Sequence, residues 1–359
     1  MRKAGKQKQV NIPGFLIAKI KGNVMNVTMW RKALNVIPRI TKDEWDHLDI
    51  ISKWLISTRA AVLIMTFISA GTAGIFALQA GRFNLGYWLL LAIGLILAHA
   101  TNNLLNDYTD HVKGVDKGNY YRAQYGPQPL EHGLLTRRQL LTYALVTGLL
   151  ALMAGAVLVY ARGSFALLLL GLGAFFVLFY TFPLKYIALG ELAVLIVWGP
   201  LMIGGGYYVV AGEWSWTVVL ASLPYALGVT TVIFGKHIDK YEDDRARGIH
   251  TLPVLLGEKV SRYVVVIMTA LQYLMVTYLV IVGFFTPVML IVFFALTTFL
   301  RQFLPMYRKP KPVEKPADYP ADSWPLWFVG ASFVHNRRFG LLFLLGLILD
   351  TVLKLTILS

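Results

Sequence analysis

Cysteine is absent from this chain of 359 residues, which excludes disulfides, cysteine-bound zinc and thiolate nucleophiles. Charge is also scarce: Asp, Glu, Lys and Arg make up 15% of the residues, against about 25% in soluble domains. Apolar residues make up 57%, and the mean hydropathy is +0.59. No cleavable signal peptide is expected, because no apolar run follows the basic N-terminal stretch before about residue 60. The composition indicates an all-α polytopic membrane protein.

Nine apolar segments approach or reach the length of about 20 residues that a helix needs to cross a bilayer. They lie at about residues 60–80, 86–106, 139–161, 164–183, 188–210, 217–235, 263–283, 286–304 and 339–358. Of the 34 Lys and Arg residues, 31 lie in the loops expected on one side of the membrane and two in the loops on the other side. The remaining one, Lys354, lies within the last segment. Because cytoplasmic loops are enriched in Lys and Arg, this bias predicts a protein of the cell membrane with a cytoplasmic N-terminus and an external C-terminus. The net charge of +15 then reflects topology and contact with anionic membrane lipids, and no nucleic-acid partner is expected.

Two parts are predicted: a basic N-terminal cytoplasmic segment, residues 1–59, and a nine-helix transmembrane domain, residues 60–359. Apolar residues recur at helical spacing between Asp43 and Ser57. This spacing predicts one amphipathic helix, either lying on the membrane surface or docked on the body of the protein. The proline-rich and charged stretch 305–325 is typical of a flexible connector without a catalytic role.

Acidic residues number only 19, and seven of them fall in two short stretches, each where an apolar segment ends. They are Asp107, Asp110 and Asp116 in the first stretch, and Asp239, Glu242, Asp243 and Asp244 in the second. Residues three or four apart share a helix face. The polar residues around the first stretch therefore form two neighbouring stripes: His99, Asn103 and Asp107, then Asn102, Asn106 and Asp110. Asp239 and Asp243 share a face in the same way. Polar stripes within a membrane face the protein interior or a water-filled cavity.

The two acidic stretches suit a divalent metal that carries a diphosphate. Mg²⁺ prefers oxygen ligands and usually binds through one or two carboxylates together with substrate phosphates. The neighbouring side chains that would take the remaining phosphate charge are Lys113, Arg122, Lys236, Lys240 and Arg245. A diphosphate held in this way becomes a good leaving group, and an apolar cavity would hold a hydrocarbon tail. The pattern predicts ionisation of an allylic diphosphate at the membrane, followed by attack of an electron-rich second substrate.

Other interpretations of the same residues stay open at this point. Either acidic stretch alone is also typical of a solvated helix end with ion pairs between its own residues. Together they are also compatible with an ion transporter, although a transporter would carry its charges nearer the bilayer midplane. An inactive homologue that binds isoprenoid lipid is a further alternative.

At these residues the chain resembles the UbiA superfamily of intramembrane prenyltransferases. That family carries an NDxxDxxxD motif after its second helix and a DxxxD motif after its sixth. The run Asn106-Asp107-Tyr-Thr-Asp110 is similar to the start of the first motif, and Asp239-Lys-Tyr-Glu-Asp243 is similar to the second. Gly114 stands at the place of the third aspartate, with Asp116 two residues later, and Gln128 stands where a basic residue is frequent. The continuation Lys113-Gly-Val-Asp116 and the run Asn336-Arg337-Arg338 most resemble the branch that prenylates 1,4-dihydroxy-2-naphthoate in menaquinone synthesis.

The resemblance implies a bundle of nine transmembrane helices around a central cavity that is open to lipid. It implies bound Mg²⁺ and transfer of a polyprenyl group from its diphosphate to an aromatic small-molecule acceptor. The implied catalytic residues are Asp107, Asp110, Asp239 and Asp243. The implied metal ligands are these four with Asp116 and Asp244, and diphosphate binding is expected of Asn103, Asn106, Lys113, Arg122, Lys236, Lys240 and Arg245. The alternative acceptors within the family are 4-hydroxybenzoate, protohaem, a chlorophyll precursor and a glycerophosphate lipid.

Overall fold

The computed structural model describes residues 25–117, 126–320 and 323–356, and within these ranges the chain forms helices and no β-strand. Three short helices come first: α1 (Val27–Asn35), α2 (Lys42–Asp46) and α3 (Ile50–Ser57). The bundle begins with α4 (Ile64–Gln79), α5 (Leu85–Val112), α6 (Arg137–Arg162), α7 (Ser164–Phe179), α8 (Gly190–Ala211) and α9 (Trp216–Asp239). After the short α10 (Tyr241–Ala246) and α11 (Leu252–Leu256), it is completed by α12 (Glu258–Ile281), α13 (Pro287–Arg308) and α14 (Phe328–Thr356).

Eight helices in the described ranges are long and apolar enough to cross a membrane, and α7 is a shorter apolar helix of 16 residues. These nine helices overlap the nine predicted segments, although α14 begins at Phe328 and not near residue 339 as predicted, and the predicted all-α membrane fold is confirmed. Large apolar side chains stay exposed along α6 and α7, as Met153 at 64% and Leu168 at 54% illustrate. An extended exposed apolar surface of this kind is typical of helices that face lipid.

Helix α9 occupies the centre of the bundle, where it packs against α8, α12 and α14. Its Tyr225 side chain is fully buried and donates a hydrogen bond to the carbonyl oxygen of Met65 on α4, at 2.9 Å. A Cβ atom at Gly340 would lie 2.6 Å from the Tyr225 ring. Helices α9 and α14 can therefore approach this closely because residue 340 has no side chain.

Helix α8 changes its winding in the middle. Residues Val197–Gly204 form widened π-helical turns that contain Pro200, between two α-helical segments. A Cβ atom at Gly206, just beyond these turns, would lie 3.0 Å from Cβ of Ala73. The glycine at position 206 therefore permits close packing of α8 against α4, just after the local widening of the helix.

The predicted single amphipathic helix over residues 43–57 is wrong, because α2 ends at Asp46 and α3 begins only after Asp49. The Asp49 side chain caps α3 by accepting hydrogen bonds from two backbone N–H groups of the first turn, each at 3.0 Å. Trp45 and Leu48 are 2% and 4% exposed and pack with apolar residues of α5 and α6. Of the two predicted placements, the structure has the docked one.

The stretch 305–325 is more ordered than the flexible connector that its composition predicts. Helix α13 extends into its first residues. Further along, the Tyr319 hydroxyl donates a hydrogen bond to a backbone carbonyl oxygen at 2.5 Å, and Lys311 Nζ lies 3.8 Å from Oδ1 of Asp239. The described part of this stretch thus packs against the end of α9, beside the second acidic stretch.

The last helix carries a buried ion pair at its far end. Lys354 Nζ lies 2.8 Å from Oδ2 of Asp350, one helical turn away. The fully buried Asp350 carboxylate also accepts hydrogen bonds from Gln79 Nε2 at 2.9 Å and from the backbone N–H of Thr286 at 2.7 Å. This carboxylate joins α4, α14 and the start of α13 at the end of α14 remote from Asp239.

Candidate functional site

A cavity of about 810 Å³ lies among α4–α9 and α14. Apolar side chains line most of it, and α5 contributes residues from Leu90 to Asn106, a length of about 24 Å along the helix. Polar side chains gather toward the end of α5 that carries the first acidic stretch. They include Arg59, His99, Asn102, Asn103, Asn106, Lys236 and Arg337. One cavity thus combines a long apolar wall with a polar end that carries three cationic side chains.

The amide side chains of α5 connect the helix to three neighbouring segments. Asn103 Nδ2 donates to the carbonyl oxygen of Thr58 at 2.9 Å, Asn102 Nδ2 to that of Val177 at 3.0 Å, and Asn106 Nδ2 to Thr181 Oγ1 at 3.1 Å. In the same stripe, His99 Nδ1 lies 2.7 Å from Thr66 Oγ1. The polar stripes predicted from the sequence therefore face the interior and the cavity.

Asp107 is paired with Arg59, a residue that precedes α4. The Asp107 side chain is 4% exposed, and its Oδ1 atom contacts Arg59 Nη2. Arg59 has a left-handed backbone conformation with φ of 57°, which is uncommon for a residue other than glycine. Its guanidinium group thus joins the first acidic stretch to the cavity wall.

Asp110 is paired with Lys185, from the loop between α7 and α8. Lys185 Nζ lies 2.9 Å from Oδ1 of Asp110, and the two side chains are 9% and 2% exposed. An ion pair this deeply buried offsets part of the cost of removing both charges from water. The loop between α7 and α8 therefore lies directly against the first acidic stretch.

The other candidates of the first stretch differ in their surroundings. Asp116 is buried, at 5% exposure. Lys113 is exposed, and its ammonium group stands 3.6 Å from the centre of the Phe182 ring, in a cation–π contact. Arg122 lies outside the described residues.

In the second stretch, the Asp239 carboxylate serves as a helix cap. It accepts hydrogen bonds from the backbone N–H groups of Phe328 and Val329, each at 3.0 Å, at the start of α14. Its side chain is fully buried, and Lys311 stands 3.8 Å away. Burial lowers the pKa of Lys311, whereas the Asp239 and Asp243 carboxylates act in the opposite direction.

The predicted common face of Asp239 and Asp243 is not formed, because α9 ends at Asp239 and α10 starts at Tyr241. The break at Lys240 leaves the Asp243 side chain 44% exposed, 3.5 Å from Arg247. Asp244, at 3% exposure, is instead the buried acid of α10, and its Oδ1 lies 3.5 Å from Nζ of the buried Lys240. Among the predicted cations of this stretch, Lys236 lines the cavity and Arg245 is exposed.

Tyr186, in the loop between α7 and α8, directly follows Lys185, the partner of Asp110, and lies near carboxylates of both stretches. Burial raises the pKa of the Tyr186 hydroxyl to about 12, and the nearby charges of Asp110, Asp244 and Asp116 raise it in addition. The backbone of the same loop contacts the segment after α10, since His250 N–H donates to Tyr186 O at 3.3 Å. The two acidic stretches, far apart in sequence, therefore lie at the same end of the bundle.

A buried contact between the start of α8 and the end of α9 is made by Glu191 and His237. Glu191 Oε1, at the start of α8, lies 2.6 Å from His237 Nδ1 near the end of α9, and both side chains are at most 3% exposed. The other carboxylate oxygen of Glu191 accepts from the backbone N–H of Leu252 at 3.4 Å. This pair fixes the start of α8 to the segment that carries the second acidic stretch.

The donor chemistry at this end fits a hard divalent cation. The candidate ligands are carboxylates, the donors that Mg²⁺ prefers, and the buried Tyr186 hydroxyl between them has no hydrogen-bond partner in the described part of the chain. Within residues 25–117, 126–320 and 323–356, no three His, Asp or Glu side chains stand close enough to hold an ion by themselves. Asp107, Asp110, Asp116 and Asp244 would hold Mg²⁺ one or two at a time, together with phosphate oxygens of a substrate and water.

Sequence reasoning missed three cations of this site: Arg59, Lys185 and Arg337. Arg59 and Lys185 hold the two acids of the first motif, and Arg337 lines the cavity. The sequence did carry an indication for Lys185, because it is the one Lys or Arg in the long apolar stretch between Arg162 and Lys236. The signal for Arg59 was its place directly before an apolar segment.

Comparison with known proteins yields one family. The model of the UbiA prenyltransferase family matches residues 64–335. The chain is 28% identical over 225 residues to the UbiA prenyltransferase domain-containing protein 1 homolog of Drosophila melanogaster, a match that covers 60% of this chain and 59% of that protein. It is 32% identical over 221 residues to 1,4-dihydroxy-2-naphthoate octaprenyltransferase of Escherichia coli, which covers 58% of this chain and 70% of that protein.

Solved structures of UbiA homologs have the same helical fold as this chain. A UbiA homolog from Archaeoglobus fulgidus bound to GPP and Mg²⁺ superposes with a TM-score of 0.54 at 16% identity, covering 82% of this chain and 99% of that one. The family model matches from residue 64, at the start of α4, to residue 335, within α14. The residues before 64 therefore lie outside the family match.

Proposed function

The chain belongs to the UbiA prenyltransferase family, and from that premise we propose a Mg²⁺-dependent transfer of a polyprenyl group from its allylic diphosphate to an aromatic acceptor similar to 1,4-dihydroxy-2-naphthoate. Support for the acceptor comes from the similarity to 1,4-dihydroxy-2-naphthoate octaprenyltransferase. Support for the metal comes from the similarly folded UbiA homolog that is bound to GPP and Mg²⁺. The single observation that carries the proposal is a long apolar cavity whose polar end includes Arg59, the partner of Asp107 in the first acidic stretch, and Lys236, three residues before Asp239 in the second.

The apolar part of the cavity suits the hydrocarbon tail. About 24 Å of α5 lines it, from Leu90 to Asn106. A tail removed from water here contributes roughly 0.8 kcal/mol for each buried CH₂ group. This contribution anchors the substrate with its diphosphate toward the polar end.

The polar end suits the diphosphate. Arg59, Lys236 and Arg337 bring three positive charges to the cavity wall, and guanidinium groups bind phosphate oxygens in a two-pronged geometry. The carboxylates of Asp107, Asp110, Asp116 and Asp244 are the candidate ligands of Mg²⁺, which when bound would neutralise the charge that develops on the departing diphosphate. Asp239 and Asp243 are weaker candidates for Mg²⁺ ligands, because Asp239 caps α14 and the side chain of Asp243 is exposed.

The reaction balances without any further reagent. The bond between the allylic carbon and the diphosphate oxygen breaks, and its electron pair leaves with the diphosphate. The aromatic faces of Tyr180 and Trp198 on the cavity wall attract the resulting allylic cation. A ring carbon of the acceptor then forms the new carbon–carbon bond, and its proton is released to water at the polar end.

The test is turnover by the purified protein in detergent, with Mg²⁺, radiolabelled polyprenyl diphosphate and 1,4-dihydroxy-2-naphthoate. We expect a prenylated product, and Asp107→Asn and Asp110→Asn should each lower kcat at least about 100-fold, as loss of charge stabilisation does in other enzymes. The matched control is Asp46→Asn, which changes an acid that is 54% exposed and lies in α2, outside the cavity. Full activity of both motif variants would contradict the site.

The acceptor is tested by substitution in the same assay. 4-Hydroxybenzoate and glycerol phosphate ethers replace the naphthoate at equal concentration. Product with one of these and none with the naphthoate would assign the chain to another branch of the family. Absence of product with every acceptor and with several tail lengths would contradict the proposed reaction.

We also propose that the polar end faces the cytoplasm of a cell membrane. Loops on that side carry 31 of the 34 Lys and Arg residues. Because the chain has no cysteine, a thiol reagent labels only the residue that a single-cysteine variant introduces. Labelling therefore shows on which side of the membrane that residue lies. A membrane-impermeant maleimide should label Arg82→Cys in intact cells and Lys117→Cys only after the cells are opened; the reverse pattern would contradict this orientation.

A further inference from the structure

We propose that the segment before the family-matched region supplies the surface that selects the acceptor. Residues 35–37, here called the strap, are the last residue of α1 (Asn35) and the two residues after it (Val36 and Ile37), and they precede the start of the family match at residue 64. All three residues line the cavity. The inference rests on the proposed function and adds to it a specificity-determining element for the second substrate.

The strap lies at the polar end of the cavity. Helix α1, which leads into it, packs against the turn Ala60–Val62. The residue before that turn, Arg59, is the partner of Asp107. On its other side the strap packs closely against Gly126, in the loop after α5. A Cβ atom at this glycine would lie only 2.2 Å from Cγ2 of Ile37. The strap therefore bridges the segment that holds Asp107 and the loop that follows the first acidic stretch.

The strap is held in place from both sides. Before it, Trp30 of α1 donates its indole N–H to Oδ1 of Asp49 at 3.0 Å, and the backbone N–H of Asn26 donates to Oδ2 of Asp49 at 3.1 Å. After it, Trp45 of α2 is buried against α5 and α6. A surface fixed on both sides can define the shape of a binding site.

The chemistry of the strap matches an aromatic acceptor better than a diphosphate. It carries no charge: one amide, Asn35, is followed by two branched apolar side chains, Val36 and Ile37. A diphosphate needs cations, and those stand elsewhere on the wall, at Arg59 and Lys236. An apolar surface beside an amide suits a flat ring that carries a hydroxyl group.

One atom of the strap is available for that hydroxyl group. Asn35 Nδ2 donates to the carbonyl oxygen of Arg31 at 2.8 Å, which leaves the amide oxygen of Asn35 to accept a hydrogen bond from a ligand. The acceptor would then lie with its ring on Val36 and Ile37 and with its hydroxyl group toward Asn35. Its reactive carbon would face the cations Arg59 and Lys236, where the diphosphate leaves.

The kinetic test separates the two substrates. Ile37→Ala and Asn35→Ala should each raise KM for the aromatic acceptor about 5- to 20-fold, as expected for loss of one apolar contact or one hydrogen bond, and should change KM for the polyprenyl diphosphate by less than about twofold. The control is Leu34→Ala, which alters an apolar residue that is 54% exposed and lies directly before the strap; both KM values should stay unchanged. Equal increases in both KM values for the strap variants would overturn the inference.

A charge variant tests recognition apart from folding. Asn35→Asp keeps the size of the side chain but loses the hydrogen bond to Arg31 O, so a purely structural role predicts the same loss of activity with every acceptor. If the strap contacts the acceptor, a carboxylated naphthoate should lose affinity more strongly than an uncharged naphthol, because like charges repel. An identical effect on both acceptors would overturn the inference.

A labelling experiment keeps the inference testable without turnover. In this cysteine-free chain, Val36→Cys places one thiol on the strap at a residue that is 52% exposed. The naphthoate alone should slow its reaction with maleimide several-fold, geranyl diphosphate with Mg²⁺ should not, and Leu34→Cys should respond to neither. If the naphthoate fails to protect Val36→Cys while wild type turns over, the strap assignment is wrong and the proposed function stands. If wild type turns over no acceptor, the proposed function fails, and protection at Val36→Cys still decides whether the strap binds aromatic ligands.

Discussion

Asp239 accepts a hydrogen bond from the backbone N–H of Phe328 at 3.0 Å, across 89 residues of sequence. A second hydrogen bond, from the next backbone N–H, completes the cap of α14. The first acid of the DxxxD sequence thus fixes the start of the last transmembrane helix. A variant at this position is therefore expected to change stability as well as the site.

The first prediction compares the two acids of that sequence. Asp239→Ala should lower the free energy of unfolding by about 0.5–2 kcal/mol, the usual cost of losing a helix cap, because the first N–H groups of α14 lose their acceptor. Asp243→Ala should change it by less than about 0.5 kcal/mol, since the Asp243 side chain is 44% exposed. Thermal unfolding in detergent without added metal measures both. Equal melting temperatures for the two variants would show that the cap contributes nothing.

The second prediction concerns the buried pair of Lys185 and Asp110. Lys185→Met should lower the free energy of unfolding by about 3–5 kcal/mol, because a buried carboxylate loses a cation at 2.9 Å. Lys185→Arg keeps the charge and should recover most of this loss. Combining Lys185→Met with Asp110→Asn should cost less than the sum of the two single variants. Strict additivity in chemical unfolding would show that the pair is not coupled.

The shared helix faces of the first acidic stretch were predictable from sequence for a local reason. Asn103, Asn106, Asp107 and Asp110 lie on one continuous helix, α5, so helical spacing alone determines which side chains share a face. The nine apolar segments were predictable for the same reason, because hydrophobicity over one helix length is a local property.

The other features of the site depend on contacts between distant segments, which no local sequence pattern indicates. The break at Lys240 separates Asp239 from Asp243, and nothing in the side chains around it marks the end of a helix. Arg59 and Lys185 reach their acids across 48 and 75 residues. Such partners are determined by how the helices pack, which spacing within one segment cannot reveal.

The third prediction concerns the acid dependence of Asp49. Burial by itself raises the pKa of Asp49, but hydrogen bonds from the Ser52 hydroxyl and backbone, the Trp30 indole and the Asn26 backbone outweigh it and lower the pKa below the usual range. A carboxyl group with a lowered pKa in the folded state stabilises fully above its unfolded pKa of about 3.9, and this stability is lost as pH falls toward the folded pKa.

Asp49→Asn should therefore be less stable than wild type at pH 7, with a gap that narrows as the pH falls from about 4 toward 2.5. Thermal unfolding of both proteins across this range measures the gap, and the difference between them removes the contribution of the other acids. Asp46→Asn, at an exposed acid of α2, serves as the comparison. A gap that widens on acidification would mean that the pKa of Asp49 is raised in the folded protein.

The last prediction concerns Gly228, where α12 and α14 converge on α9. A Cβ atom at this position would lie 2.2 Å from Oδ1 of Asn336 and 2.4 Å from Nε2 of Gln272, both of which are buried. Gln272 also donates a hydrogen bond to the carbonyl oxygen of Pro224 at 2.8 Å, and a displaced amide would lose it. Gly228→Ala should therefore lower the free energy of unfolding by about 1–3 kcal/mol, as overpacking does.

The matched control for Gly228→Ala is Gly171→Ala, in helix α7. A Cβ atom at Gly171 would meet nothing within 4 Å, so this substitution should be neutral or stabilise by up to about 1 kcal/mol through helix propensity. Thermal unfolding in the same detergent compares the two. Adding Asn336→Ala to Gly228→Ala removes the nearer of the two clashing side chains and should restore part of the loss. If both glycine variants melt at the same temperature, the convergence of three helices at Gly228 is looser than these distances require.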